Sequence, residues 1–143
     1  MQMNDTYNLQ RFVDAQETWY EVACSELRNG GKREHWMWWI FPQMKGLGHS
    51  RLSTEFGISS REEAEAYLRH SILGPRLRGC SRLVTLIKGR SSNQIFGDID
   101  SVKFRSSMTL FASVTSDNAI FMAALRKYFG GEFDHLTLNL LGL

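Results

Sequence analysis

A lysine and two serines stand close together in the stretch KFRSSM, which runs from Lys103 to Met108. On a helix, Lys103 and Ser107 are four residues apart and share a face, with Ser106 beside them. Such a patch could hold a phosphate or a carboxylate, or form a serine–lysine nucleophile pair. The spacing matches neither a P-loop nor the SxxK order, because the lysine precedes the serines. The alternative interpretation is a solvated helix face.

A second group of polar side chains brackets the aromatic stretch HWMWWIFPQ, which runs from His35 to Gln43. His35 could act as an acid, a base or a phosphate donor, since histidine is the residue type most often used for proton transfer. A buried indole N–H needs an acceptor, so we expect at least one of Trp36, Trp38 and Trp39 to stand at a pocket wall. The alternative is that these rings only fill the core and that the histidine is a packed, hydrogen-bonded residue.

Two further features could attract an anion. The stretch GLGHS, from Gly46 to Ser50, resembles a fragment of a phosphate-binding glycine loop, but no predicted strand precedes it and the full GxGxxG is missing. We interpret it as a connector in which Ser50 opens a helix and leaves backbone N–H groups free. A basic strip lies further along the chain and consists of Arg76, Arg78, Arg82, Lys88 and Arg90. A solvated face explains this strip equally well.

Helix signals place almost all of these residues on helices. Apolar residues from Leu9 to Leu27 recur at three- and four-residue steps, after a cap at Asn8 and before a stop at 29–31. Asn-Gly or Asp-Gly turns between alternating strands are missing from the sequence. We therefore predict an all-α fold, a compact multihelical single domain over residues 1–143 with little or no sheet, in which residues 1–7 are loosely ordered.

Later helices have their own start signals. The predicted caps are Ser60, Ser91, Asp100 or Ser101, Asp117 and Asp134, and Pro75 suits the first turn of another helix. The aromatic stretch must be buried, because a helix there would be apolar all round and a strand would be apolar on both faces. Pro42 ends either form, since it lacks a backbone N–H.

Composition bounds the class of protein. The chain of 143 residues is 43% hydrophobic and 22% charged, which is typical of a soluble globular domain that folds without a disulfide or a metal. Its net charge of +2 is too balanced to imply a nucleic-acid or membrane partner. Cys24 and Cys80 lack CxxC or Cys/His spacing, so we expect reduced thiols, no metal and no cofactor. Without a secretory signal or a long apolar run, the expected location is the cytoplasm.

Five blocks of the sequence carry a family resemblance. They are LQRFVDAQ, HWMWWIFPQMKGLGHS, YLRHSILGPRL, IFGDIDSVKFRSSMTLFA and KYFGGEFDHLTLNLL, and they extend from Leu9 to Leu141. They resemble the blocks of a bacterial family known as domain of unknown function 1810, which is often mislabelled calpastatin. The resemblance implies a single, mostly helical domain and no assigned activity. The order of the blocks also resembles that of ADP-ribose-processing N-glycosidases, which points to nucleotide-like ligands.

Two hypotheses about function follow. In the first, the aromatic stretch and KFRSSM form one pocket that binds, and could hydrolyse, a phosphorylated or nucleotide-like small molecule. The candidate catalytic residues are His35, Lys103 and Ser107, and the candidate ligand-binding residues are Trp36, Trp38, Gln43, Ser106 and Ser50. Lys103 would hold the anion, His35 would move the proton, and an indole would stack on a ring. In the second, the chain is a non-catalytic regulatory or interaction module that binds a protein or a nucleic acid.

Overall fold

The computed structural model describes residues 5–143, and nine helices make up the regular structure of that range. They are α1 Gln10–Arg28, α2 Met37–Ile40, α3 Arg51–Glu55, α4 Arg61–Arg69, α5 Leu73–Leu86, α6 Ser92–Phe96, α7 Asp98–Ser113, α8 Ala119–Phe129 and α9 His135–Leu140. Within the same range there is no strand, and an isolated parallel bridge joins Met44 to Ile58. The predicted all-α class with little or no sheet is therefore confirmed.

The longest helix, α1, begins after a turn closed by an aspartate. The carboxylate of Asp5 accepts hydrogen bonds from the backbone N–H groups of Leu9 and Gln10 at 2.7 and 2.9 Å. The predicted cap at Asn8 is wrong, because that residue has a φ of 52° and the Asp5 carboxylate satisfies the first N–H groups instead. Residues 1–4 of the segment predicted to be loosely ordered lie outside the described residues.

Local capping chemistry fixes three later helix starts as predicted. The side chains of Ser60, Ser91 and Asp134 accept from the third backbone N–H of α4, α6 and α9. The predicted starts of α7 and α8 are wrong. Gly97, with a φ of 84°, lets the chain turn directly from α6 into α7, so that this helix begins at Asp98.

One hydrophobic core joins the helices, and α7 lies at its centre. This helix packs against α4, α6, α8 and α9. Its residue Phe104 is fully buried, and its ring lies 4.7 Å from the ring of Phe96 and 5.0 Å from that of Phe41. The aromatic stretch is thereby held against the N-terminal half of α7.

A carboxylate of α1 anchors the start of the aromatic stretch. The Oε1 atom of Glu26 accepts hydrogen bonds from the backbone N–H groups of Arg33 and Glu34 at 2.8 and 3.1 Å. The same oxygen accepts from Nε1 of the fully buried Trp36 at 2.8 Å. Burial raises the pKa of Glu26, but the three hydrogen bonds and nearby Lys32 outweigh it and hold this pKa below its ordinary value. Glu26 is therefore ionised at neutral pH and fixes the position of the chain before α2.

Replacing Glu26 by alanine is expected to lower the free energy of unfolding by about 2–4 kcal/mol, because three N–H groups lose a charged acceptor. Glu21 is exposed on the same helix, and Glu21→Ala should change that free energy by less than about 0.5 kcal/mol. Chemical denaturation followed by tryptophan fluorescence measures both. Equal effects of the two substitutions would contradict the anchoring role.

The Glu26 contact also sets an expected pH dependence. Because folding lowers the pKa of this carboxyl, its stabilisation is complete above the ordinary value of 4.5 and is lost as the pH falls through the folded value. The difference in unfolding free energy between the wild type and Glu26→Gln should be constant near neutral pH and shrink in acid. A difference that grows as the pH falls would show that the carboxylate is not held in its charged form.

Candidate functional site

Two adjoining cavities lie where the aromatic stretch meets the N-terminal half of α7. The outer cavity has a volume of about 520 Å³, and its wall consists of His35, Trp38, residues 96–100 and Lys103. This volume lies in the range of small-molecule sites. The inner cavity is only about 10 Å³, on the scale of one water molecule, and is lined partly by residues 41–43. Trp38 and Lys103 line both cavities and so stand between them.

The indole of Trp38 is held between a cation and another ring. The Nζ atom of Lys103 lies 5.3 Å from the Trp38 ring centroid, and the Trp39 ring lies 5.6 Å away on an edge. Within residues 5–143, the buried Nε1 atom of Trp38 has no hydrogen-bond partner. The same holds for Nε1 of Trp39, but that residue lines neither cavity. A buried donor without an acceptor costs about 1–3 kcal/mol.

A carboxylate in the outer wall lies between two ammonium groups. The Oδ2 atom of Asp100 is 2.7 Å from Nζ of Lys32, whose side chain is 6% exposed. The other oxygen, Oδ1, is 3.6 Å from Nζ of Lys103, whose side chain is 22% exposed. Lys32 thus forms a close ion pair with Asp100, whereas Lys103 is paired with it more loosely and lines the outer cavity.

The N-terminus of α7 forms another part of the outer wall. Its cap residue, Gly97, has no side chain, and no other side chain caps this end of the helix. The first backbone N–H groups of α7 therefore have no partner within the helix, and the helix dipole adds partial positive charge there. Asp98, which is exposed, adds a carboxylate at the same edge. The outer cavity consequently offers N–H donors, a free cation and a carboxylate together.

Four of the predicted site residues surround these cavities. His35 is exposed in the outer wall, and Gln43 lines the inner cavity. The carbonyl oxygen of Gln43 accepts from the backbone N–H of Ile58 at 2.9 Å, which fixes the end of the aromatic stretch. Together with Trp38 and Lys103, these residues show that the two segments singled out in the sequence do meet.

The serines of α7 are not brought to the cavities. Ser106 donates to the carbonyl oxygen of Val102 at 3.1 Å and to the Oδ2 atom of Asp134 at 3.0 Å, which ties α7 to α9. Ser107 is fully buried, and its hydroxyl has no partner in the described part of the chain. The expected lysine–serine face is therefore not formed, because neighbouring helices cover α7 beyond its first two turns.

Two other predicted residues also lie away from the outer cavity. Trp36 points inward to Glu26 rather than standing at a pocket wall. Ser50 caps α3 by accepting from the backbone N–H of Ser53 at 3.1 Å, and its hydroxyl donates to the hydroxyl of the same residue. The inner cavity is lined by Ser53, so Ser50 reaches the site only through that neighbour.

Sequence reasoning missed residues 96–100 as a wall of the site. It assigned Asp100 to a helix cap, whereas the structure pairs that carboxylate with Lys32. The available signal was a glycine followed by two acidic residues in the block IFGDID. Lys32 gave no signal, because its pairing with Asp100 joins distant parts of the chain.

The basic strip is largely occupied by contacts within the protein. The guanidinium of Arg76 stacks on the ring of Tyr20 at 4.3 Å. Arg78 and Arg90 donate to the carbonyl oxygens of Asp117 and Gly30 at 2.9 and 2.8 Å. The side chains of these arginines are therefore mainly engaged in contacts within the protein, two of them with backbone carbonyl oxygens.

Residues 5–143 contain neither a metal-binding cluster nor a membrane-spanning helix. No three or more His, Cys, Asp or Glu side chains there are grouped so as to hold a metal ion. None of the helices in that range combines the length and the apolar character needed to cross a membrane.

Comparison with known proteins identifies the family. Residues 6–141 match the family described as "Protein of unknown function (DUF1810)". The chain belongs to this family. The fold is also similar to the crystal structure of the conserved hypothetical protein Rv1873 from Mycobacterium tuberculosis, with 52% identity and a TM-score of 0.96 over 97% of this chain and 99% of that chain. No curated protein matches. The resemblance inferred from the five sequence blocks is confirmed.

Paired substitutions on α7 test the different environments of its two serines. Ser107→Ala is expected to leave the free energy of unfolding unchanged or raise it by about 1 kcal/mol, because a buried hydroxyl without a partner is removed. Ser106→Ala should lower it by about 1 kcal/mol, because the bond to Asp134 is lost. Urea denaturation measures both. Strong destabilisation by Ser107→Ala would show that its hydroxyl has a partner after all.

Proposed function

We propose that the outer cavity binds a nucleotide-like small molecule, consisting of a flat ring, a sugar and a phosphate. The observation that carries this proposal is the meeting of Trp38 and Lys103 at one cavity of about 520 Å³. An aromatic face and a cation on one wall match the two chemically distinct ends of such a ligand.

The ring of the ligand would lie against the aromatic wall. Trp38 is half-buried, so that part of its indole is accessible to a ligand. Phe96, which is only 6% exposed, lines the same cavity. Stacking of a base on an aromatic side chain contributes about 1–3 kcal/mol.

The phosphate would lie between Lys103 and the start of α7. The ammonium of Lys103 is only loosely paired at 3.6 Å with Asp100, so it can turn toward an anion without leaving a buried charge behind. Free backbone N–H groups at the N-terminus of a 16-residue helix favour the same charge. His35, in the same wall, can donate a further hydrogen bond.

The carboxylate of Asp98 favours a nucleotide over a bare anion. It would repel inorganic phosphate, but it accepts hydrogen bonds from hydroxyl groups such as those of a ribose. A cavity with both signs of charge therefore suits a ligand that carries hydroxyl donors beside its phosphate. This mixed character distinguishes the proposal from simple phosphate capture.

Hydrolysis of the bound ligand is an extension of this proposal. His35 would move a proton, and a carboxylate of the outer wall would stabilise the positive charge that develops on a sugar when its N-glycosidic bond breaks. Chromatography of ADP-ribose, NAD and AMP after incubation with the protein measures hydrolysis. Release of the base or the sugar supports it, whereas recovery of unchanged ligand would show that the protein binds the ligand without hydrolysing it.

The alternative, an interaction module, is favoured by one separate observation. The adjacent helices α7 and α9 expose apolar side chains, namely Ile99 at 75%, Val102 at 63% and Leu136 at 64%. Exposed apolar residues near one another are typical of protein contact sites. A nucleic-acid partner has less support, because the basic strip is largely tied to the protein itself.

A ligand screen tests the binding proposal. ADP-ribose present at a hundred times its dissociation constant should raise the unfolding free energy by about 2.7 kcal/mol, which a thermal-shift assay detects. Calorimetric titration should give tighter binding for ADP-ribose and AMP than for inorganic phosphate. Binding of phosphate alone, at equal strength, would contradict the assigned role of the aromatic wall.

Variants locate the binding within the outer cavity. Lys103→Met should weaken nucleotide binding about tenfold or more, since a charge-assisted bond of at least about 1.4 kcal/mol is lost. Trp38→Leu should weaken it similarly through lost stacking. Lys88→Ala, at an exposed cation outside both cavities, is the control and should leave the affinity unchanged. Unchanged affinity in all three variants would place the ligand elsewhere.

A further inference from the structure

Two cysteines that are distant in the sequence meet in the core. Cys24 lies on α1 and Cys80 lies on α5, 56 positions further along the chain. Their sulfur atoms are 3.9 Å apart, and both residues are free thiols at 2% and 1% exposure. The two helices pack directly against each other. The proximity of the two thiols was not visible in the spacing of the sequence.

The two thiols differ in acidity. Hydrogen bonds from Cys80 and Tyr20, with the nearby charge of Arg28, lower the pKa of Cys24 even though burial opposes this. The pKa of Cys80 is raised, because the same hydrogen bond makes it the donor and because it is buried. One thiol is thus prepared to be the nucleophile and the other to be its partner.

The pair lies one side chain below the surface. Tyr20 lies one turn before Cys24 on α1 and is half-buried, and the guanidinium of Arg76 covers its ring at 4.3 Å. Movement of these two side chains, without unfolding of α1 or α5, would admit a small oxidant. Side chains of this kind change rotamer in nanoseconds when they are partly exposed.

We propose that Cys24 and Cys80 form a disulfide between α1 and α5 when the protein meets hydrogen peroxide, and that a dithiol reduces this disulfide again. The Cys24 thiolate attacks the peroxide, an S–O bond forms, the O–O bond breaks, and the departing oxygen takes a proton and leaves as water. The sulfur of Cys80 then attacks the resulting sulfenic acid, the S–S bond forms, and the S–O bond breaks. The Cys80 proton leaves with the hydroxyl as a second water. In total the two thiols lose two electrons and two protons, and hydrogen peroxide is reduced to two waters.

The disulfide needs only a small local movement. The sulfur atoms must close from 3.9 Å to a bond length of about 2.05 Å, which side-chain rotation and a slight helix shift supply. The bond would close a long loop and so restrict the unfolded chain, which raises the melting temperature. It would also fasten α1 to α5 within one turn of Glu26, the residue that holds the aromatic stretch.

Intact-mass measurement of the folded protein after treatment with hydrogen peroxide tests the proposal. The wild-type protein should lose the mass of two hydrogen atoms, recover it with dithiothreitol, and yield one peptide pair linked through Cys24 and Cys80. Its melting temperature should rise by several degrees in the oxidised form. Gain of oxygen without loss of hydrogen, or a disulfide between two molecules, would overturn the proposal.

Single substitutions test the order of the steps. In Cys80→Ser, the sulfenic acid at Cys24 should persist and react with dimedone, whereas Cys24→Ser should remain unmodified under the same conditions. Equal modification of the two variants would overturn the assigned order of attack. The wild-type measurement stands independently if a serine variant fails to fold.

Discussion

The hydrogen bonds that Glu26 accepts are the constraint on which the arrangement of the site depends. A segment with three tryptophans in four positions must bury most of its ring surface, and a buried indole N–H without an acceptor costs about 1–3 kcal/mol. Glu26 provides one acceptor for Trp36 and for the backbone that precedes it. Trp36 precedes α2 and is directed into the core, whereas Trp38 lies within α2, beside Lys103 and the start of α7.

The site combines charges in a way that a simple anion site does not. Asp100 neutralises Lys32 at close range and holds Lys103 only loosely, so a mobile cation remains at the edge of a cavity that also contains the carboxylate of Asp98. The N-terminus of α7 adds donors that require no side-chain movement. This combination of charges is the basis of the proposal that the cavity takes a ligand with a phosphate, hydroxyl groups and a flat ring rather than a ligand with charge alone.

The sequence predicts features that depend on a few neighbouring residues. The caps at Ser91 and Asp134 follow from local chemistry and are correct, and the apolar aromatic stretch could only be buried. Asn8 was misassigned because capping depends on φ, which the sequence does not display. Ser107 was placed on the surface because one helix does not reveal which neighbours cover it.

Contacts between residues that are distant in the sequence could not be predicted, for the same reason. The site residues His35, Trp38, Gln43 and Lys103 were found by their types, but the contact that unites them depends on how α7 packs against the aromatic stretch. The meeting of Cys24 with Cys80 likewise depends on the packing of α1 against α5. Residue types thus indicated which side chains could take part in binding or catalysis, and helix packing determines which of them share a cavity.

The indole N–H resonances of the four tryptophans, followed by heteronuclear NMR while ADP-ribose is added, test the account most directly. The Trp38 signal is expected to move with saturation, because the ligand stacks on its ring, while the Trp36 signal stays in place because that residue is fully buried and Glu26 already accepts from its N–H. A Trp38 signal that remains unchanged, or a larger shift at Trp36, would contradict the account.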